Sequence, residues 1–436
     1  MVILYDLFFL IFSILYLPYF LIKGKWRNFS GQRLGIFSGQ TISRLKGLNP
    51  IWIHAVSVGE VMASLPLYEE IKERFPSEKV IVSTVTSTGN RLARERFKGV
   101  AEIIYLPLDI SFVTNKVVRM VRPKVVLIAE TEIWPNFIAS LKSYGAKIAL
   151  FNGRISNKSF RRYHLLGSLV KGVLANIDLF LMQSQSDAER IISLGALPKR
   201  VKATGNLKYD AAFMGQKAGA FGASALVSRE NFGLTKESLL LIAGSTHPGE
   251  EIVILRCYRK LIGKFPELRL LIAPRHVNRS SSLLNICEEY GFRPCLVSRA
   301  KETRNPLKKD EILILDIMGI LSAAYSICDI AFIGGSLIKK GGQNPLEAAY
   351  YSKAIVFGPY THNFEAVTSQ LLSAGAAVQV KDEDGLLSSI SGLLNDRAVL
   401  GVMGRKARVV LESNSGAAKR DIDALANTVF TQNRAG

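Results

Sequence analysis

Short β-rich apolar runs alternate along the chain with stretches of helical spacing, and small or polar turn residues close each run. In the first half the runs cover residues 51–55, 80–84, 102–105, 125–129, 148–151 and 179–182, with helical patterns at 62–74, 89–97 and 134–143 among them. A looser stretch, 210–230, is rich in Gly, Ala and Ser. A second series then begins, with predicted strands at 239–244, 269–273, 312–315, 330–334 and 354–357. Helical patterns at 250–264, 281–290, 319–327 and 345–351 separate them. Strand–helix alternation of this kind predicts parallel, doubly wound α/β sheets, and two similar series predict two Rossmann-like domains rather than one large sheet. In such folds ligands bind outside the carboxyl ends of the strands, here expected in a cleft facing both domains. A helix over 401–411 is followed by a segment, 417–430, expected to cross back to the first domain.

The N-terminus has a different pattern. Residues 7–22 are almost all apolar, preceded by Asp6 and followed by Lys23, Lys25 and Arg27. The run is slightly shorter than the ~20 residues of a spanning helix. Basic residues after the run, and no small-residue cleavage site, argue against a cleaved signal peptide. The positive-inside bias puts everything after Lys23 in the cytoplasm. The expected layout is a membrane anchor over 1–24, a first α/β domain over 25–215 and a second over 216–436. Spanning and interfacial placements of the anchor both remain open.

Charge narrows the partners. Across 436 residues, 56 Lys and Arg against 36 Asp and Glu leave a net charge of +20, which points to an anionic partner: nucleic acid, anionic lipid or a phosphorylated substrate. The four cysteines, Cys257, Cys287, Cys295 and Cys328, show no CxxC spacing, which fits a reduced cytosolic body. No His/Cys cluster has metal-ligand spacing, so no metal is expected.

The loops that follow the predicted strands carry the candidate chemistry. Residues 52–60 run from an apolar strand through a small-residue turn to Glu60 at a helix start, where amides and the dipole favour negative charge. That carboxylate can be a base for a hydroxyl or simply a good first-turn residue. Glu130 and Glu132, with Trp134 and Asn136, directly follow another buried strand. N-capping explains one acid there comfortably and Glu130 poorly. Lys208, in Gly205-Asn206-Leu207-Lys208, ends near the domain boundary, either as a cleft cation or as an exposed linker lysine. In the second series, Gly244–Glu250 offers a hydroxyl-rich turn suited to phosphate or to capping. Arg275 follows the 269–273 strand and can grip a phosphate or carboxylate bidentately. Gly334-Gly335-Ser336 lets backbone approach a ligand closely, and Asn344-Pro345-Leu346-Glu347 opens a helix aimed at the same cleft. The P-loop pattern and the dinucleotide Gly fingerprint after the first strand are both missing, which weighs against P-loop hydrolases and ordinary dehydrogenases.

Taken in order, His54–Glu60, Glu130–Asn136, Phe151-Asn152-Gly153-Arg154, Gly205–Lys208, Gly244–Glu250, Pro274-Arg275-His276 and Asn344–Glu347 make the chain resemble, nearly end to end, the 3-deoxy-D-manno-octulosonic acid (Kdo) transferases of lipid A biosynthesis. The resemblance implies an inverting GT-B glycosyltransferase that moves Kdo from CMP-Kdo to the lipid A precursor lipid IVA in lipopolysaccharide core biosynthesis, without a catalytic metal or other cofactor. It also implies work at the cytoplasmic face of the inner membrane. By motif, Glu60 falls on the family's general base, and Glu130 and Lys208 on its transition-state stabilisers. Pro274, Arg275, Met318, Gly319, Ile320, Asn344, Pro345, Leu346 and Glu347 fall where the family binds CMP. Ile320 has no polar side-chain atom, so a backbone contact is implied there. The +20 charge then has three anionic partners: donor, acceptor head group and membrane surface, with no nucleic acid. The basic stretch 154–164 is either an acceptor- or lipid-facing surface or an ordinary solvated helix face. A UDP-sugar transferase on the same fold, and a non-catalytic binder of anionic lipid or nucleic acid, are the competing readings.

Overall fold

The structure, a computed structural model, describes residues 5–7, 9–11, 15, 30–219, 227–299 and 306–430. The chain divides into two units, one formed by Met1–Ala211 with Ser415–Gly436 and the other by Ala212–Asn414.

In the first unit the apolar runs become strands β1 (Ile51–His54), β2 (Val80–Thr84), β3 (Glu102–Tyr105), β4 (Val125–Ala129), β5 (Lys147–Gly153), β6 (Leu179–Met182) and β7 (Val201–Ala203). They pair in the order β3-β2-β1-β4-β5-β6-β7. Each paired register is parallel. The winding reverses between β1 and β4, so the loops leaving those two strands splay apart and open a crevice at their carboxyl ends. The second unit repeats the plan with β8 (Leu239–Thr246), β9 (Leu268–Pro274), β10 (Arg293–Leu296), β11 (Glu311–Ile314), β12 (Ile330–Ile333), β13 (Ala354–Phe357) and β14 (Ala377–Gln379). Their order, β10-β11-β9-β8-β12-β13-β14, puts the reversal between β8 and β12.

β7, β10 and β14 have no counterpart among the strands predicted above. All three are sheet edges, and β7 and β10 have no fully buried position. An edge strand covered on fewer sides needs less apolar sequence, so its signal is faint. Central strands show the opposite: β1, β4 and β12 are buried at every position. Most of the predicted anchor lies outside the described residues. Among the described residues no helix is long and apolar enough to cross a membrane.

Trp52 keys the first core. It is fully buried on β1, its indole N–H donates to Ser83 Oγ at 2.8 Å, and its ring meets Phe137 edge-on at 5.2 Å. It therefore ties the strand before Glu60 both to β2 and to the helix after Glu130. Trp52→Ala leaves a large cavity and an orphaned Ser83 hydroxyl, so denaturant unfolding should show a loss of about 3–5 kcal/mol. A loss below about 1 kcal/mol would mean that the site collapses around the gap.

Candidate active site

The crevice of the first unit collects the acids singled out from the sequence. β1 ends at His54, and the next turn starts the helix Val58–Arg74 with Ser57 as its N-cap. Glu60 is in the first turn and is 7% exposed. One of its oxygens accepts the Val56 N–H at 2.7 Å and the other the Ser57 hydroxyl at 2.9 Å. This is a variant of the reciprocal capping arrangement, so the bland role of Glu60 is real. Those two bonds favour the ionised form, yet they are outweighed. Burial first, then the charge of Glu130 with a smaller part from Glu132, pushes the Glu60 carboxyl up to about 7. A carboxyl that is half ionised near neutrality has the basicity a general base requires.

Glu130 leaves β4 in a left-handed backbone conformation, φ 53°, with its N–H on the Phe151 carbonyl at 2.9 Å. Such a conformation is uncommon for a residue with a Cβ. It turns the chain sharply out of the sheet at the reversal point beside β1. Thr131 Oγ1 donates to the Arg154 carbonyl at 2.8 Å, joining this loop to the Phe151–Arg154 stretch. Burial and the Glu130 charge also raise Glu132. The far end of the loop is fixed by Asp109, whose carboxylate accepts the Phe137 N–H at 2.7 Å and the Asn136 N–H at 3.2 Å. Asn136 in turn donates to Asp6 at 2.6 Å, and Asp6 also accepts the Ser111 N–H at 3.1 Å. Sequence reasoning passed over Asp109 and Asp6. Asp109 carried the same signal as the chosen acids, a carboxylate just past a strand end, whereas Asp6 had only a lone charge before an apolar run.

Lys208 opens the helix Leu207–Gly219. Asn152, also at positive φ, accepts the Leu207 N–H at 3.0 Å, and Asn206 Oδ1 accepts the Lys208 N–H at 3.0 Å. Burial lowers the Lys208 ammonium; Glu130 and Glu60 pull it back up, and Arg154 opposes them. Glu60, Glu130 and Lys208, drawn from three separate loops, thus share one electrostatic neighbourhood. Two carboxylates, one of them basic near neutrality, beside a half-buried cation can take a proton from a hydroxyl and hold a developing anion.

In the second unit the reversal point is dominated by a residue that the sequence reading used only as part of a turn. Glu250 is completely buried. It accepts N–H groups from His247 (2.9 Å), Gly335 (2.7 Å), Ser336 (3.0 Å) and Leu337 (3.0 Å). The amides around Gly335, expected to be open to a ligand, are therefore occupied by an internal carboxylate that ties the β12 loop to the β8 loop. The glycines serve that packing instead: a Cβ on Gly334 would press into the Ser245 backbone.

The groups left for a ligand lie around this knot. Burial lowers His247, and its neighbours His276, Lys340 and Arg275 add to the effect. Its ring meets His276 edge-on at 6.4 Å and Gln343 Nε2 at 3.3 Å. The fixed charges of Lys340 and Arg275 there suit a phosphate; Lys340 was missed, having no motif of its own. Glu347, in the first turn of the short helix Leu346–Tyr350, is raised by burial and restrained by Asn344 and the Arg275 charge. The Asn344 amide approaches Glu347 at 3.4 Å while its oxygen accepts the Leu346 N–H at 3.1 Å. Arg275 is exposed; Pro274, Pro345 and Leu346 are buried and shape the loop backbones. Met318, 81% exposed, and Gly319, φ 87°, lie on the loop after β11, where Ile320 turns its side chain into the core.

The family model for 3-deoxy-D-manno-octulosonic-acid transferase (kdotransferase) matches residues 29–211. The 3-deoxy-D-manno-octulosonic acid transferase of Haemophilus influenzae is 30% identical over 402 residues, 92% of this chain and 91% of that protein. Its counterpart from Bordetella pertussis is 30% identical over 411 residues, 92% of each. A bifunctional glycosyltransferase/methyltransferase of Fusobacterium nucleatum is 34% identical over 388 residues, 88% of this chain; the chain spans 58% of that protein's length. Among solved structures, a UDP-GlcNAc 2-epimerase from Neisseria meningitidis has a TM-score of 0.61 at 13% identity, covering 87% of this chain and 100% of that one. A glycosyltransferase from Rickettsia africae has a TM-score of 0.55 at 12% identity, covering 88% and 99%. These two likenesses concern the fold alone, paired parallel-sheet α/β domains resembling GT-B glycosyltransferases. With 30% identity over nine-tenths of both proteins, the chain belongs to the 3-deoxy-D-manno-octulosonic acid transferase family and is a glycosyltransferase.

Proposed function

We propose that the protein transfers Kdo from CMP-Kdo to the lipid A precursor lipid IVA, with inversion at the anomeric carbon. Glu60 takes the proton of the acceptor hydroxyl as that oxygen attacks the anomeric carbon. The C–O bond to the CMP phosphate breaks, and its electron pair leaves with the phosphate. Glu130 and Lys208 stabilise charge as it develops. Arg275, Asn344 and Glu347, with the backbone at Met318–Ile320 and the loop shaped by Pro274, Pro345 and Leu346, hold CMP. The observation that carries this reading is the Glu60 carboxyl, poised at about 7 where the first sheet reverses. The relatives named as Kdo transferases supply the donor sugar. An N-terminal anchor at the cytoplasmic face of the inner membrane would bring this basic protein to its anionic acceptor.

Incubating the purified protein with CMP-Kdo and lipid IVA should yield product heavier by whole Kdo units, and its mass counts them. No Kdo-bearing lipid in that assay would remove the acceptor assignment. The donor is tested separately by heat. CMP at about a hundred times its Kd should stabilise the protein by about 2.7 kcal/mol, whereas UDP at the same concentration should do far less. Glu347→Ala should abolish most of that protection. Protection by UDP equal to that by CMP would favour a UDP-sugar donor instead.

A further inference from the structure

The chain returns to the first unit at residue 415, and the helix Ala417–Leu425 packs there against the helix Val58–Arg74 that carries Glu60. Its other contacts converge on the Lys208 loop. Asp210, two residues beyond Lys208, accepts the Gly416 N–H at 2.8 Å and the Ala417 N–H at 3.1 Å, so the Lys208 helix supplies the N-terminal cap of the returning one. Arg420 Nε donates to the Thr204 carbonyl at 2.6 Å, and its Nη1 reaches the Ser415 carbonyl at 3.1 Å. The guanidinium lies so close over the loop that a Cβ on Gly205, itself at φ 109°, would stand 2.8 Å from Nη2. Asp421 is fully buried, with Thr204, Asp210 and Arg420 for neighbours, and burial pushes its carboxyl up to about 7. The Arg420 bond to the Thr204 carbonyl, the Asp210 cap and the buried Asp421 carboxyl hold residues 204–210 to the returning helix at three points, and Asp421 gives up water to stand there. At the other end, Arg74 pairs with Asp423, and Phe75 packs on Phe430 at 4.4 Å.

We propose that this C-terminal helix is a brace that sets Lys208 relative to Glu60, with Arg420 and Asp210 as positioning residues acting through the backbone of residues 204–208. Neither touches a reacting atom. Arg420 fixes the loop just before Lys208, Asp210 fixes the turn just after it, and the same helix lies along the Glu60 helix. The proposal rests on the reading of Lys208 as the charge-stabilising group.

A double-mutant cycle on the full-length protein tests it. Arg420→Ala should lower kcat by about 10- to 100-fold with little change in KM for CMP-Kdo, because a misplaced cation is felt only where charge develops. Arg420→Lys, which can still donate to the Thr204 carbonyl, should recover part of the rate. In a Lys208→Ala background, Arg420→Ala should cost less than about twofold. The same fold-loss in both backgrounds overturns the proposal, because that is what general loosening of the fold predicts. A second readout needs no turnover: labelling of Lys208 by an amine-reactive ester, followed by peptide mass mapping with Lys142 as internal reference. Arg420→Ala and Asp210→Asn should each change the Lys208-to-Lys142 labelling ratio several-fold. An unchanged ratio overturns the brace whatever the reaction is. Wild type inactive on CMP-Kdo with the ratio still shifted would fault the functional reading and leave the brace standing.

Discussion

Glu60→Gln is expected to reduce Kdo transfer by about 10²–10⁴-fold, the usual worth of a general base, while CMP binding stays within about twofold. Gln keeps the size of the side chain but cannot take a proton. The wild-type rate should rise with pH through about 7, because Glu60 must be ionised to act and its folded-state carboxyl is held there. Glu130 is the second cause of that elevation after burial, so Glu130→Gln should move the acid limb to lower pH even as it lowers the plateau. The stability signs follow from the same shift. A carboxyl whose pKa is 4.5 when free and about 7 when folded binds its proton more tightly in the folded state, so it destabilises the fold progressively as pH rises from about 4.5 to 7. Glu60→Gln should therefore stabilise the protein at pH ~8, by about 1–3 kcal/mol, and have little such effect near pH ~4. Turnover within about tenfold of wild type would remove Glu60 as the base. A raised melting temperature at alkaline pH in that same variant would still confirm its buried, strained charge.

The positions of the loops, and hence of Glu60 and Glu130, were legible because central strands of a doubly wound sheet are buried at every position and announce their ends. What the chemistry of those ends would be was less legible. Gly334-Gly335-Ser336 and Glu250 illustrate why: nothing in the sequence links a carboxylate to amides 85 residues away, so amides that looked open to a phosphate prove to be bound to Glu250. The same holds for Asp210, whose partners Gly416 and Ala417 lie 206 and 207 residues further on. Lys340 was passed over because a single charge outside a motif resembles ordinary surface. Glu60 sits between these cases. Its capping role can be read from Ser57 three residues earlier, but its basicity arises from burial first and then from Glu130 and Glu132, and only folding supplies any of these.

Lys208→Ala is the second large loss expected, about 10²–10³-fold in kcat, comparable to removing one group from a preorganised anion site. Which kinetic constant moves identifies when the charge acts. If Lys208 meets charge only as the bond to CMP breaks, kcat falls and KM for CMP-Kdo holds; if it merely binds the carboxylate of ground-state Kdo, KM rises instead. The ammonium also predicts a limb of its own. Burial lowers it from 10.5, so Lys208 loses its proton, and transfer its stabilising cation, at a pH below that of a free lysine. The rate should therefore fall again on the alkaline side, giving a bell with Glu60 on the acid limb. Lys208→Arg should separate the two limbs. A guanidinium does not titrate in this range, so the acid limb should persist and the alkaline fall should vanish, at a plateau reduced by imperfect reach. An alkaline limb unchanged in Lys208→Arg would assign that proton to another group and leave Lys208 a structural partner of Glu130. Loss of both limbs together would show that Glu60 and Lys208 titrate as one coupled unit, as their shared neighbourhood with Glu130 allows.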